Sequence, residues 1–117
     1  MSKIVIIGAG AMGSAFALPC LDNNHDINIV GTHLENDFIE QLKKNNNFHP
    51  GLNTKIPSEI KIFKFEKFDN LLKSNVDLIV LGISSKGIEW VADQLSKLYK
   101  ESKIPKLLML TKGLSIH

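Results

Sequence analysis

Apolar residues in this chain fall into short continuous runs separated by stretches with helical spacing. Lys3–Ile7 is apolar and β-branched at every position after the lysine, the pattern of a strand buried on both faces of a parallel sheet. Residues 11–22 carry Met12, Ala15, Phe16 and Leu18 and predict a helix, which Pro19 is expected to kink or end early. Residues 23–26 form a turn and 27–30 a second short strand. Residues 35–44 predict a helix with Phe38, Ile39 and Leu42 on one face, stopped by Asn45-Asn46-Asn47. Residues 48–58, with Pro50, Gly51 and Pro57, read as a long irregular connection, a kind that often carries function. Residues 60–65 alternate apolar side chains with lysine, as in a strand near a sheet edge. A short helix over 68–73 precedes a central strand over 76–83. Trp90, Val91, Leu95 and Leu98 place an amphipathic helix over 88–99, and Pro105 introduces a last strand over 106–110.

The order is strand and helix in strict alternation, with five strands. Right-handed crossovers convert it into a doubly wound parallel sheet covered by helices on both faces. The expected fold is therefore a single Rossmann domain over residues 1–117, a three-layer α/β/α sandwich with strand order 3-2-1-4-5. Its ligand crevice lies at the carboxyl ends of strands one and four, where the winding reverses.

The turn at the end of the first strand reads Gly8-Ala9-Gly10-Ala11-Met12-Gly13. A G-x-G-x-x-G motif is weak alone, but here it follows a buried strand and opens a helix, the context that gives it meaning. Gly8 allows the tight turn, Gly10 leaves room for a pyrophosphate against the backbone, and Gly13 lets helix and strand pack closely. The helix N-terminus offers free N–H groups and the positive end of its dipole to the phosphates. The competing reading, a glycine-rich turn that binds nothing, sits poorly with the surrounding β-α-β pattern.

Composition narrows the partners. The 117 residues suffice for one domain, and a net charge of +2 gives no reason to invoke nucleic acid or a membrane surface. All 14 basic residues are lysines, so phosphate must be met by backbone N–H groups, hydroxyls or lysine rather than by a guanidinium fork. Cys20 is the sole cysteine, and no His or Cys pair has metal-ligand spacing, so no metal is expected. The N-terminus lacks signal-peptide character, no apolar run approaches membrane-spanning length, and a reduced, cytoplasmic setting is expected.

Nicotinamide-binding domains often place an acid near the end of the second strand, on the adenosine ribose. Here that place reads Gly31-Thr32-His33-Leu34-Glu35. Glu35 stands slightly late and reads equally as the start of the next helix. Thr32, His33 and nearby N–H groups could instead meet a 2′-phosphate. NAD and NADP both remain open.

Taken together, these segments resemble the N-terminal domain of the NAD(P)-dependent glycerol-3-phosphate dehydrogenases. The likeness rests on the opening loop and helix from Gly8 to Ala17, and on Ile29-Val30-Gly31-Thr32, whose Gly-Thr is similar to archaeal-type members. It continues through His49-Pro50-Gly51-Leu52 with Pro57, the run from Val76 to Ser85, and Leu110-Thr111-Lys112-Gly113-Leu114. The resemblance implies that Gly8, Gly10, Ala11, Met12 and Gly13 hold the pyrophosphate of NAD or NADP. It implies that Thr32 and His33 lie near the adenine ribose and Ser84 and Ser85 near the nicotinamide ribose. Lys112 would reach both the substrate and the cofactor. The substrate pair would be dihydroxyacetone phosphate and glycerol 3-phosphate. Enzymes of this kind carry a second, helical domain that supplies the general acid/base lysine. Residues 1–117 contain no match to it, so no catalytic residue and no turnover are expected from this chain alone. Apolar surface that such a domain would cover predicts self-association into homo-oligomers.

Each singled-out residue has a plainer reading. Ser84 and Ser85 also suit a helix cap. His33 suits a solvated loop, and His25 and His49 suit structural roles. Cys20 and Trp90 suit helix faces packed on the sheet, and Lys61, Lys64 and Lys67 a solvated face. Two other functions compete: a stand-alone nucleotide-sensing module without chemistry, which usually has an acid where Thr32-His33 stand, and a ketopantoate-reductase-like oxidoreductase, in which Thr111-Lys112-Gly113 is not expected.

Overall fold

The computed structural model describes residues 2–100 and 103–110. A five-stranded, wholly parallel sheet is built from β1 (Lys3–Ile7), β2 (Asp26–Val30), β5 (Lys61–Phe63), β6 (Leu78–Leu81) and β7 (Lys106–Met109). Its spatial order is β5-β2-β1-β6-β7, which is 3-2-1-4-5 when these strands are counted along the chain, as the alternation predicts. Four helices connect them: α1 (Ala11–Asp22), α2 (Asn36–Lys44), α3 (Phe68–Lys73), entered through a 3-10 turn at Phe65–Lys67, and α4 (Ser85–Leu98).

Strand alternation sorts the apolar side chains into two cores, one per face. Ile4, Ile6, Ile27, Ile29, Ile62 and Val80 pack with Ala17 of α1 and Ile39 and Leu42 of α2. Val5, Ile7, Val30, Ile79 and Leu81 pack on the other side with Phe68 and Leu72 of α3 and Val91 and Leu95 of α4. Thus α1 and α2 cover one face and α3 and α4 the other, giving the three-layer sandwich. Cys20 packs partly buried against the first core, where burial pushes its thiol upward in pKa.

Several local expectations change. The α1 helix runs through Pro19 to Asp22. The proline falls in the last turn, and its exposed carbonyl is taken by the Asn23 side-chain amide at 2.8 Å. Residues 48–58 are not wholly irregular: β3 (Phe48–His49) and β4 (Thr54–Lys55) form a small antiparallel hairpin. Asn46, Asn47 and Asn53 adopt the left-handed conformation around it, which asparagine tolerates better than most residues. The α4 helix starts at Ser85, three residues before its apolar periodicity begins, because Ser85, Lys86 and Gly87 are not apolar and Ser85 lines the crevice.

Candidate cofactor site

The glycine loop joins the carboxyl end of β1 to α1 at the point where the sheet reverses direction. Gly8 has φ +113°, a conformation closed to most side chains, and a Cβ there would run into the Gly82 carbonyl oxygen at the end of β6. A Cβ on Gly13 would stand 2.9 Å from the Gly8 carbonyl oxygen, and one on Gly82 would stand 2.8 Å from the Gly13 Cα. Three glycines therefore allow β1, β6 and the first turn of α1 to meet backbone to backbone. Gly10 differs: a Cβ there would meet nothing within 4 Å. The protein leaves that side open.

Gly10 is the N-cap of α1, with no side-chain cap and no acid in the first turn. The leading N–H groups of the helix, with no partner one turn earlier, point out at this end. They border a cleft of about 570 Å³ lined by Gly10, Ala11, Met12, Ser84, Ser85 and Leu110, among others. The structure thus brings four of the expected contacts, Ala11, Met12, Ser84 and Ser85, to one cleft around Gly10. Ser84 is the N-cap of α4 but makes no side-chain capping bond, so capping does not explain its hydroxyl. A cradle over a helix N-terminus, open at Gly10 and closed at Gly8 and Gly13, fits a pyrophosphate.

Thr32 and His33 do not line this cleft. Thr32 accepts the Leu34 N–H on its hydroxyl at 3.3 Å. The exposed His33 ring leans on Trp90, with ring centroids 4.5 Å apart, at the edge of a cluster that includes Phe65 and Phe68. Trp90 is thus partly core, as its helix spacing suggests, and partly a platform for His33. Lys112 lies outside the described residues. Among those described, no group of three or more His, Cys, Asp and Glu side chains could hold a metal, and no helix is long and apolar enough to cross a membrane.

Two residues acquire roles that their sequence positions do not suggest. Glu35, extended from the N-cap of α2, folds its carboxylate back over the loop. It accepts the Ala9 N–H at 3.1 and 3.2 Å on its two oxygens and the Thr32 N–H at 2.9 Å. The late acid after β2 therefore ties β1's turn to β2's, because one long side chain spans the offset. His49 is 2% exposed. Its Nε2 lies 2.9 Å from the Ala9 carbonyl oxygen, while Nδ1 accepts the Gly51 N–H at 3.1 Å. An acceptor at one nitrogen and a carbonyl at the other put the ring proton on Nε2. Ser14 Oγ adds a 3.3 Å contact to the same carbonyl.

Comparison with known proteins agrees with this geometry. The family described as NAD-dependent glycerol-3-phosphate dehydrogenase N-terminus matches residues 3–117. An NADP(+)-dependent glycerol-3-phosphate dehydrogenase of Archaeoglobus fulgidus is 31% identical over 111 residues, covering 95% of this chain and 31% of that protein. A glycerol-3-phosphate dehydrogenase [NAD(P)+] of Oceanobacillus iheyensis is 29% identical, covering 97% of this chain and 31% of its own. One of Bacillus anthracis is 37% identical over 82 residues, covering 69% of this chain and 23% of its own. The chain spans between about a quarter and a third of the length of these curated relatives. With the match running over residues 3–117, the chain belongs to the NAD-dependent glycerol-3-phosphate dehydrogenase N-terminal family.

Proposed function

We propose that this domain binds NAD(H) or NADP(H), and that within a whole dehydrogenase it presents the nicotinamide to dihydroxyacetone phosphate for reduction to glycerol 3-phosphate. The observation that carries the reading is the glycine cradle: closed by backbone contact at Gly8 and Gly13, open at Gly10, and set over the uncapped start of α1. Ala11 and Met12 would offer their N–H groups to the pyrophosphate. Ser84 and Ser85, across the cleft, would hydrogen-bond the ribose on the nicotinamide side, and Thr32 and His33 would border the adenine ribose. Lys112 would neutralise charge on a substrate or cofactor oxygen. Bound reduced nicotinamide would supply the hydride. The relatives' added length would supply the general acid/base lysine and most of the substrate pocket, so this chain alone is expected to bind nucleotide without turnover.

Calorimetric titration with NADH and NADPH tests the reading. Saturable binding of either, abolished by Gly10→Val, is the expected result. Gly10 has ordinary extended backbone (φ −69°) and no close neighbour, so the valine variant should fold normally and lose affinity through obstruction of the cradle. Unchanged binding in that variant would place the nucleotide elsewhere.

A further inference from the structure

Ala9 sits between two glycines, where the backbone has the most freedom to lose. Ala9 itself is 1% exposed and contributes only a methyl group. Yet both its polar atoms are engaged by side chains from elsewhere in the fold. Glu35 takes the N–H from the N-cap of α2, and His49 approaches the C=O from the β3–β4 hairpin. Neither residue belongs to β1, the loop or α1, and neither lines the cleft.

We propose that Glu35 and His49 are positioning residues that clamp Ala9 through the two peptide groups on either side of its Cα and so preset the phosphate cradle. This rests on the nucleotide-binding reading above. The Glu35 carboxylate already receives two backbone N–H groups through three contacts, so it is spent on holding the loop and does not act as a ribose ligand. The single protonated nitrogen of His49 is likewise committed, with Gly51 fixing the other. Holding a glycine-rich loop in its bound shape before the ligand arrives raises affinity by removing an ordering cost. A clamp of this kind acts on the part of the site that NAD and NADP share. Its loss therefore weakens both nucleotides together.

The test uses the full chain with Glu35→Ala, Glu35→Gln, His49→Leu and His49→Gln. It reads amide hydrogen exchange at Ala9 and calorimetric affinity for NADH and for NADPH. Charge-assisted hydrogen bonds of this type correspond to roughly a tenfold or larger effect. Exchange at Ala9 should therefore accelerate about tenfold in Glu35→Ala, and both affinities should fall about tenfold with their ratio held within about twofold. Glu35→Gln, keeping one acceptor, should fall between. His49→Leu keeps the bulk but loses both bonds and should behave like Glu35→Ala. His49→Gln, with one donor and one acceptor, should recover most of the affinity, a rescue that simple core filling does not produce. A changed NADH-to-NADPH ratio in Glu35→Ala would make Glu35 a ribose ligand and overturn the clamp, as would unaltered exchange at Ala9. If His49→Leu does not fold by circular dichroism, the two Glu35 variants and His49→Gln still decide. If the unmodified chain binds neither nucleotide, the cofactor reading falls, and exchange at Ala9 alone judges the clamp.

Discussion

The strands β1 and β7 are nearly the same word in the sequence and opposite things in the fold. Each opens on a lysine and continues with aliphatic residues, Ile4-Val5-Ile6-Ile7 and Leu107-Leu108-Met109. The β1 strand is flanked by β2 and β6, and its two faces feed the two cores. Among the described residues the β7 strand pairs only with β6, and Leu107 and Met109 are 49% and 52% exposed. An apolar run records that a strand is to be buried; it does not say what buries it. The β1 strand finds its cover within these residues. The β7 strand presents an open apolar edge at the side of the cleft, the type of surface that marks an interface.

The comparison can be broken most sharply by truncation. Ile6→Ala should cost about 3 kcal/mol in chemical denaturation, since it leaves a cavity between fully packed layers. Leu107→Ala should cost under about 1 kcal/mol. Equal costs would mean that β7 is covered in solution. Next in size, Gly82→Ala forces a methyl group against the Gly13 backbone and should cost about 2 kcal/mol through overpacking, read as a lowered thermal midpoint. Gly10→Ala, with nothing nearby, should leave the midpoint unchanged. A smaller effect is expected on association. Leu107→Lys or Met109→Lys should reduce self-association seen by light scattering at high concentration while leaving stability nearly unaltered, and a chain that is already monomeric would remove the reason for the effect. Smallest of all is a charge control far from either strand. The Lys64 hydrogen bond and charge, followed by those of Lys44, hold the exposed Glu40 carboxyl below its ordinary range. A lowered carboxyl contributes stability above its unfolded value and loses it as pH falls through the lowered one. Glu40→Gln should therefore narrow the stability difference between neutral and acidic pH only slightly, as exposed ion pairs do. A large loss at neutral pH would show that surface charge, not apolar cover, governs this domain.

The elements of the sheet were legible because their signals are local. Lys3–Ile7, the helix at 68–73 and the three asparagines that end α2 all follow from residue type and spacing. The hairpin at 48–55 was not, because each of its strands is two residues long and has no periodicity to read. The start of α4 is hidden for a related reason: Ser85, Lys86 and Gly87 carry no apolar signal, and Ser85 lines the cleft. Among the site residues, Ala11, Met12, Ser84 and Ser85, which the resemblance implies as cofactor contacts, line one cleft. Thr32 and His33 stand apart from it, and Lys112 lies outside the described residues.

The sequence alone determined the alternation of strand and helix, the glycine turn and the helix it opens, because strand burial, φ tolerance and helix spacing act over a few neighbouring residues. Only the tertiary structure decided that Glu35 and His49, 26 and 40 residues beyond Ala9, close on the backbone of that one residue. It also decided that one aliphatic strand is buried while another lies open. Such outcomes depend on which distant surfaces come together, and that is fixed by the order in which the sheet is wound.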